Sequence, residues 1–296
     1  MMSKARAVLS RIKSVEKTRQ ITKTMEMVAT AKIKRAQARI ESARPYALKM
    51  MDVLNNVAQN VGVDSHPLLQ VHENIENVII VSVTSNRGLC GAFNMNILRQ
   101  SEALFRQETA AGKNVKFIVV GRKGLGYLRF VGYDIIEAHT DFSDNPTFIE
   151  AKKVADRVVE TYEEGTVDKV YVVFNQFKSI MEQKTTVHQL LPIKQEAITK
   201  GEEQEAGKTA SYEFEPDAVR VLYDLLPRYV DTVVLRALME SAASEQAARR
   251  TAMKNATDSA GDMIDSLTRW YSRARQAQIT QEIAEIVGGA NALKEA

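Results

Sequence analysis

Residues 1–44 read MMSKARAVLSRIKSVEKTRQITKTMEMVATAKIKRAQARIESAR, without a proline or a glycine. Apolar residues recur there at alternating three and four spacing. The seam is Val8, Ile12, Val15, Ala29, Ile33, Ala36, Ile40 and Ala43, interrupted only by Arg19, Thr22 and Glu26. The same spacing runs on through Ala47, Met50, Leu54, Val57 and Val61. Sustained over so many heptads, it specifies a coiled-coil helix. At 1.5 Å per residue such a helix is about 80 Å long, far more than a compact domain needs. Pro45 falls inside it and predicts a kink or local break.

The other end of the chain repeats the pattern. From Met239 a seam reads Met239, Ala242, Met253, Ala256, Ala260, Met263, Leu267, Trp270, Ala274, Ala277 and Ala284, with Gln246, Arg249 and Gln281 as its polar members. Upstream, Val219 to Leu238 is also helix-like, with Pro216 near its start and Pro227 as an expected kink. Two long helices at opposite ends of one chain can close into an antiparallel pair, and alanine in both seams allows close approach. Glu26 and Arg249 are a candidate pair across it.

Between these ends the period changes. Asn77–Thr84, Val115–Val120, Tyr133–Ala138 and Lys169–Phe177 are short β-branched and aromatic runs, and Lys184–Leu191 alternates as an edge strand would. Helical patterns at Asn94–Thr109, Lys123–Val131 and Phe148–Glu163 separate them, which implies an α/β sheet with crossover connections. The expected fold is an antiparallel two-helix coiled coil made by both chain ends plus a central Rossmann-like α/β domain. The expected divisions are residues 1–62, 75–200 and 210–296.

Charge is unevenly placed. The chain carries a net +3, yet residues 1–44 hold twelve basic side chains against Glu16, Glu26 and Glu41. A basic helical arm suits an acidic partner: nucleic acid, an anionic membrane surface or an acidic protein loop. Because the periodicity passes Met51 unbroken, the basic start is not expected to be a cleaved leader. The single cysteine, Cys90, excludes an internal disulfide, and the four histidines are scattered rather than grouped as metal ligands. No run approaches the ~18 apolar residues of a membrane span.

Three stretches invite a chemical reading. Gly121–Gly126 (GRKGLG) stands between a strand and a helix, but its glycines are wrongly spaced for a dinucleotide loop, so a tight turn is the simpler expectation. Gly201 to Thr209 resembles a phosphate loop with one residue too many, and Glu202, Glu203 and Glu205 would repel phosphate. Cys90 lies between glycines with no histidine or aspartate placed to activate it. No cofactor site is expected. A bZIP-like DNA-binding layout fails because the basic residues interleave with the seam instead of preceding it. A nucleotide-binding α/β enzyme and a basic helical nucleic-acid-binding protein are the alternatives.

Ile279–Ala292 (ITQEIAEIVGGANA) resembles the C-terminal signature of the gamma subunit of F-type ATP synthases. Ala243–Arg249, Met253–Asp258, Arg19–Ala29 and Asn86–Gly91 resemble the same family in the same order. The resemblance spans the whole chain. It implies a central-stalk rotor of the bacterial type, not an enzyme by itself. The terminal helices would form a shaft inside a ring of alpha and beta subunits, and the α/β domain would lie beside the epsilon subunit on the ring of c subunits. Proton or sodium flow through that ring would turn the shaft and drive ATP synthesis, and hydrolysis would turn it backwards. The membrane would be touched only through partners, on its cytoplasmic side, with no nucleic acid involved.

The family also implies contact residues. A polar contact with the alpha/beta ring falls on Arg275, Gln276, Thr280 and Glu282, with Met25 and Arg249 nearby. Tyr212, Glu213, Phe214 and Glu215 match the segment that touches the c ring. The basic arm would suit acidic loops of the beta subunits.

Overall fold

The computed structural model describes residues 2–60, 66–72, 74–142, 144–194 and 217–295. In chain order the elements are α1 (Met2–Asn60), a 3-10 turn at Pro67–Leu69, β1 (Asn77–Val83), α2 (Phe93–Ala110) and β2 (Asn114–Val120). There follow α3 (Arg122–Val131), β3 (Ile135–His139), α4 (Phe148–Glu163), β4 (Lys169–Phe177), β5 (Gln183–Leu191) and α5 (Ala218–Glu295). The chain divides into two compact units, Met1–Ala29 with Arg249–Ala296, and Thr30–Ala248. The division falls inside both long helices.

The larger unit is built on a five-stranded sheet in the order β3-β2-β1-β4-β5. Four strands run parallel and β5 is antiparallel to β4, forming the edge that its alternating sequence predicts. This is a doubly wound arrangement, with helices covering both faces. Ile79, Val81 and Val83 of β1 face a core completed by α4, by Met50, Leu54 and Val57 of α1, and by Leu222 to Leu238 of α5. Val78 and Ile80 face the opposite core, with Phe93, Ile97 and Leu104 of α2 and Leu128 of α3. Each strand thus distributes its apolar residues by the two-residue period of a pleated strand.

A local signal explains the start of α4. Thr147 and Glu150 form a capping box on α4, the Glu150 carboxylate accepting the Thr147 amide at 2.6 Å. The expected break at Pro45 does not occur: α1 continues through it, as α5 does through Pro227. A proline inside a helix costs about 3 kcal/mol. Burial of Met50, Leu54 and Val57 after the first, and of Leu226, Tyr229 and Val230 around the second, outweighs that cost. The acidic loop Gly201–Lys208, the phosphate-loop-like stretch ending at Thr209, and Tyr212–Glu215 lie outside the described residues.

Candidate functional site

The smaller unit brings the two chain ends together. Val8, Ile12, Thr22 and Ala29 of α1 are buried, and so are Met253, Thr257 and Ala260 of α5. The helices run antiparallel as expected, and one polar contact fixes their register: the hydroxyls of Thr22 and Thr257 lie 2.8 Å apart. Polar residues at seam positions commonly select register at some expense of stability. Glu26 accepts from Lys23 at 3.1 Å, and this register sets it close to Met253, one turn from Arg249.

The expected α1 seam is the observed one: of its members in this unit only Arg19 is fully exposed. The expected α5 seam is half right. Met253, Ala260, Leu267 and Ala274 lie on it, but the alternate members are Thr257, Ile264, Tyr271 and Gln278 rather than Ala256, Met263, Trp270 and Ala277. Met263 and Trp270 are 47% and 53% exposed. Both phases keep three/four spacing, and two large apolar residues on the wrong phase drew the sequence reading away from Thr257.

The implied contact residues fall into two groups. Met25 and Arg249 are half-buried in the lower part of the pair, while Arg275, Gln276, Thr280 and Glu282 are exposed near its far end. Arg249 and Arg275 are 26 residue steps apart, about 39 Å of helix, so these six side chains do not make one site. Thr280 donates to the Gln276 carbonyl at 3.0 Å, and Gln278 donates to Glu282 at 2.8 Å. Both contacts leave polar atoms facing outward.

Beyond Gln278 helix α5 has outrun α1. Every described side chain from Ile279 to Ala290 is exposed, including Ile279, Ile283, Ile286 and Val287, which share one helical face. This apolar stripe was not singled out in the sequence, although its spacing of four, three and one was there to read. Along α1, Arg6, Arg11, Lys13, Lys17, Arg19 and Lys23 are all exposed. The outside of the pair is therefore basic at the α1 flank and apolar at the α5 tip.

The chemical candidates in the α/β unit resolve as structural. Gly121 has a φ of 98° and caps α3. The α3 amides are already taken: Gly124 N by Thr84 Oγ1 at 2.9 Å, Arg122 N by Asn86 Oδ1 at 3.0 Å, and Lys123 N by the Ser85 carbonyl at 3.1 Å. A phosphate would have to displace all three. Cys90 is buried in the turn, within 3.3 Å of Asn94 Nδ2 and 3.8 Å of Ser85 Oγ.

Two buried networks brace the amino ends of the central strands β1 and β4. Asp168 accepts from the amides of Glu76 and Asn77 and meets His72 Nδ1 at 2.7 Å. Burial pushes its carboxyl up, and these donors outweigh that, leaving it below the ordinary aspartate value. Burial, joined by a hydrogen bond to Glu108, raises the Tyr171 hydroxyl to about 12. Among the described residues no cluster of His, Cys, Asp or Glu could hold a metal ion, and no helix is long and apolar enough to cross a membrane.

A family model described as ATP synthase matches residues 4–293. An ATP synthase gamma chain from Mycobacterium tuberculosis is 44% identical, and one from Mycolicibacterium vanbaalenii 43%, each alignment covering all of both chains. The central stalk/c-ring structure of the Tetrahymena thermophila mitochondrial ATP synthase contains a chain 26% identical to this one. That match has a TM-score of 0.58 and covers 80% of this chain and 99% of that one. An OSCP/F1/c-ring structure from Euglena gracilis mitochondria matches in fold, with a TM-score of 0.67 at 21% identity over 99% of this chain and 95% of that one. The paired ends, the intervening doubly wound sheet and full-length relatives all agree, and the chain belongs to the ATP synthase gamma-chain family.

Proposed function

We propose that this chain is the central-stalk rotor subunit of a rotary ATP synthase, linking ion flow through a membrane ring of c subunits to the catalytic sites of an alpha/beta ring. It is not a catalyst by itself. The observation that carries this reading is the antiparallel pairing of α1 with α5 in the smaller unit, its register fixed at Thr22 and Thr257. A rotor needs a stiff element, and a two-helix coiled coil is stiff because each helix braces the other along its seam.

The outside of that pair suits a sleeve. Exposed cations on α1 complement acidic loops through contacts that need no fixed docking. The stripe Ile279, Ile283, Ile286 and Val287 gives the tip an apolar bearing surface, and Arg275, Gln276, Thr280 and Glu282 supply polar contacts just below it. Met25 and Arg249 make a separate, lower contact. Tyr212, Glu213, Phe214 and Glu215 meet the c ring, a role resting on the resemblance of that segment to the family. The epsilon subunit lies beside the α/β unit. The complex is membrane-associated and the chain peripheral, on the cytoplasmic face.

The two alternatives lack support. The cations of α1 flank a seam already paired with α5, which leaves no free basic arm, and the helix amides at the GRKGLG turn are occupied. Reconstitution tests the rotor reading. Mixed with alpha and beta subunits, the chain enters the complex at one copy per hexamer and raises ATPase turnover. Replacing Ile283 and Ile286 with aspartate weakens that assembly without changing the helix content of the free chain. A chain that stays outside the hexamer refutes the reading.

A further inference from the structure

In doubly wound folds the ligand crevice opens where the strand order reverses, at the carboxyl ends of the strands. Here that place lies between β1 and β4, and helix α5 occupies it. Residues Ala243 to Ala247 are all buried, so one turn of α5 is enclosed on every side. That turn reads Ala-Ser-Glu-Gln-Ala, small and polar where a core helix would carry leucine or isoleucine. Ser244, fully buried, donates to the carbonyl of Asn175 in β4 at 2.9 Å. Ser241 donates to the carbonyl of Val83 in β1 at 3.4 Å. Asn175 is itself held, its side-chain oxygen accepting from Thr185 of β5 at 2.6 Å.

The rim of the same crevice grips the other long helix. Phe142, Asp144 and Pro146, from the β3–α4 loop, line it together with Ser241 and Glu245. Asp144 pairs with Lys32 of α1 at 2.5 Å, and Asn145 accepts from Arg39.

We propose that this crevice is a socket that locks the shaft helices to the α/β unit against slip, with Ser244 and Ser241 as positioning residues for torque transfer. The inference rests on the rotor reading above and names the residues through which that unit would be driven. Apolar burial, which holds α5 to the sheet from Leu222 to Leu238, resists separation but has no preferred direction. A hydrogen bond is directional and is lost after a shift of about 1 Å. Hydroxyls aimed at strand ends therefore resist sliding and rotation of the helix, which apolar contacts tolerate. Small side chains let the helix backbone come close enough for the hydroxyls to reach.

The test uses the assembled complex in sealed vesicles and reads the ratio of ATP-driven ion uptake, proton or sodium, to ATP hydrolysis. The Ser241→Ala/Ser244→Ala variant, which loses both hydrogen bonds, hydrolyses ATP at the wild-type rate with an uptake ratio lower by at least about fivefold, the factor for the loss of one ordinary hydrogen bond. Leu226→Val, in the apolar part of the same helix, lowers the melting temperature and leaves the ratio unchanged. If the double variant fails to assemble, Ser244→Cys keeps the side chain's size with a weaker donor, and its ratio falls about twofold. A wild-type ratio in whichever serine variant assembles overturns the proposal, as does an equal fall in Leu226→Val. Uptake absent from the wild-type complex while it hydrolyses ATP overturns the rotor reading itself.

Discussion

Removing the hydroxyls of Thr22 and Thr257 tests whether the chain ends pair in the register described. The Thr257 oxygen lies 2.8 Å from Thr22 Oγ1 and 2.8 Å from the Met253 carbonyl, and Thr22 Oγ1 lies 3.0 Å from the Arg19 carbonyl. Two hydroxyl protons serve three contacts, so two are made at any moment. Thr22→Val or Thr257→Val deletes one net hydrogen bond at a buried site and costs about 1 kcal/mol. Valine matches threonine in shape, so packing changes little. Each single variant leaves the other hydroxyl its own intrahelical carbonyl, Met253 for Thr257 and Arg19 for Thr22. The double variant loses that contact as well and costs about 2 kcal/mol. Amide hydrogen exchange in the peptides around residues 22 and 257 reads this locally. Each single variant speeds exchange about fivefold in both peptides, and the double variant speeds it further in both. Acceleration confined to the mutated helix would refute the register.

Gly124→Ala destabilises the α/β unit by about 1–3 kcal/mol, because its Cβ would lie 2.5 Å from Thr84 Oγ1, the acceptor of its own amide. Gly126→Ala on the same helix meets nothing within 4 Å and stabilises by about 0.5–1 kcal/mol, so chemical denaturation of the pair separates crowding from helix propensity. The Asp168 carboxyl is held below its ordinary value of 3.8, so its contribution is present above that pH and is lost as the pH falls through the folded value. Asp168→Asn is accordingly less stable at pH 7 and loses less stability than the wild type on acidification below 3.8, as melting curves across that range will show. Arg275→Ala with Gln276→Ala leaves the melting temperature of the free chain unchanged within error, since both side chains are exposed, but lowers coupled ATP synthesis in the assembled complex.

The sequence carried more of the fold than of the site. The strands were legible because Val78–Val83 and Val115–Val120 are nearly continuous apolar runs, as strands covered on both faces must be. The seam of α1 was legible because isoleucine and valine mark it. The α5 seam was ambiguous because alanine occurs on both candidate phases, and Trp270 and Met263 favoured the wrong one while Thr257 carried the register. Pro45 signalled a kink or local break, and tertiary burial keeps the helix unbroken there. The turn at Ser241 to Ala247 gave no signal of its role, since small polar residues look like a solvated helix face until the sheet closes around them. The spacing of Arg249 from Arg275 was readable, yet the family resemblance alone grouped them, and a rigid helix keeps them about 39 Å apart.

Rotation observed directly is the most searching measurement. With the alpha/beta ring fixed to a surface and a bead attached to the α/β unit of this chain, addition of ATP should turn the bead continuously in one direction. A bead that stays still while the same complexes hydrolyse ATP would contradict the rotor account.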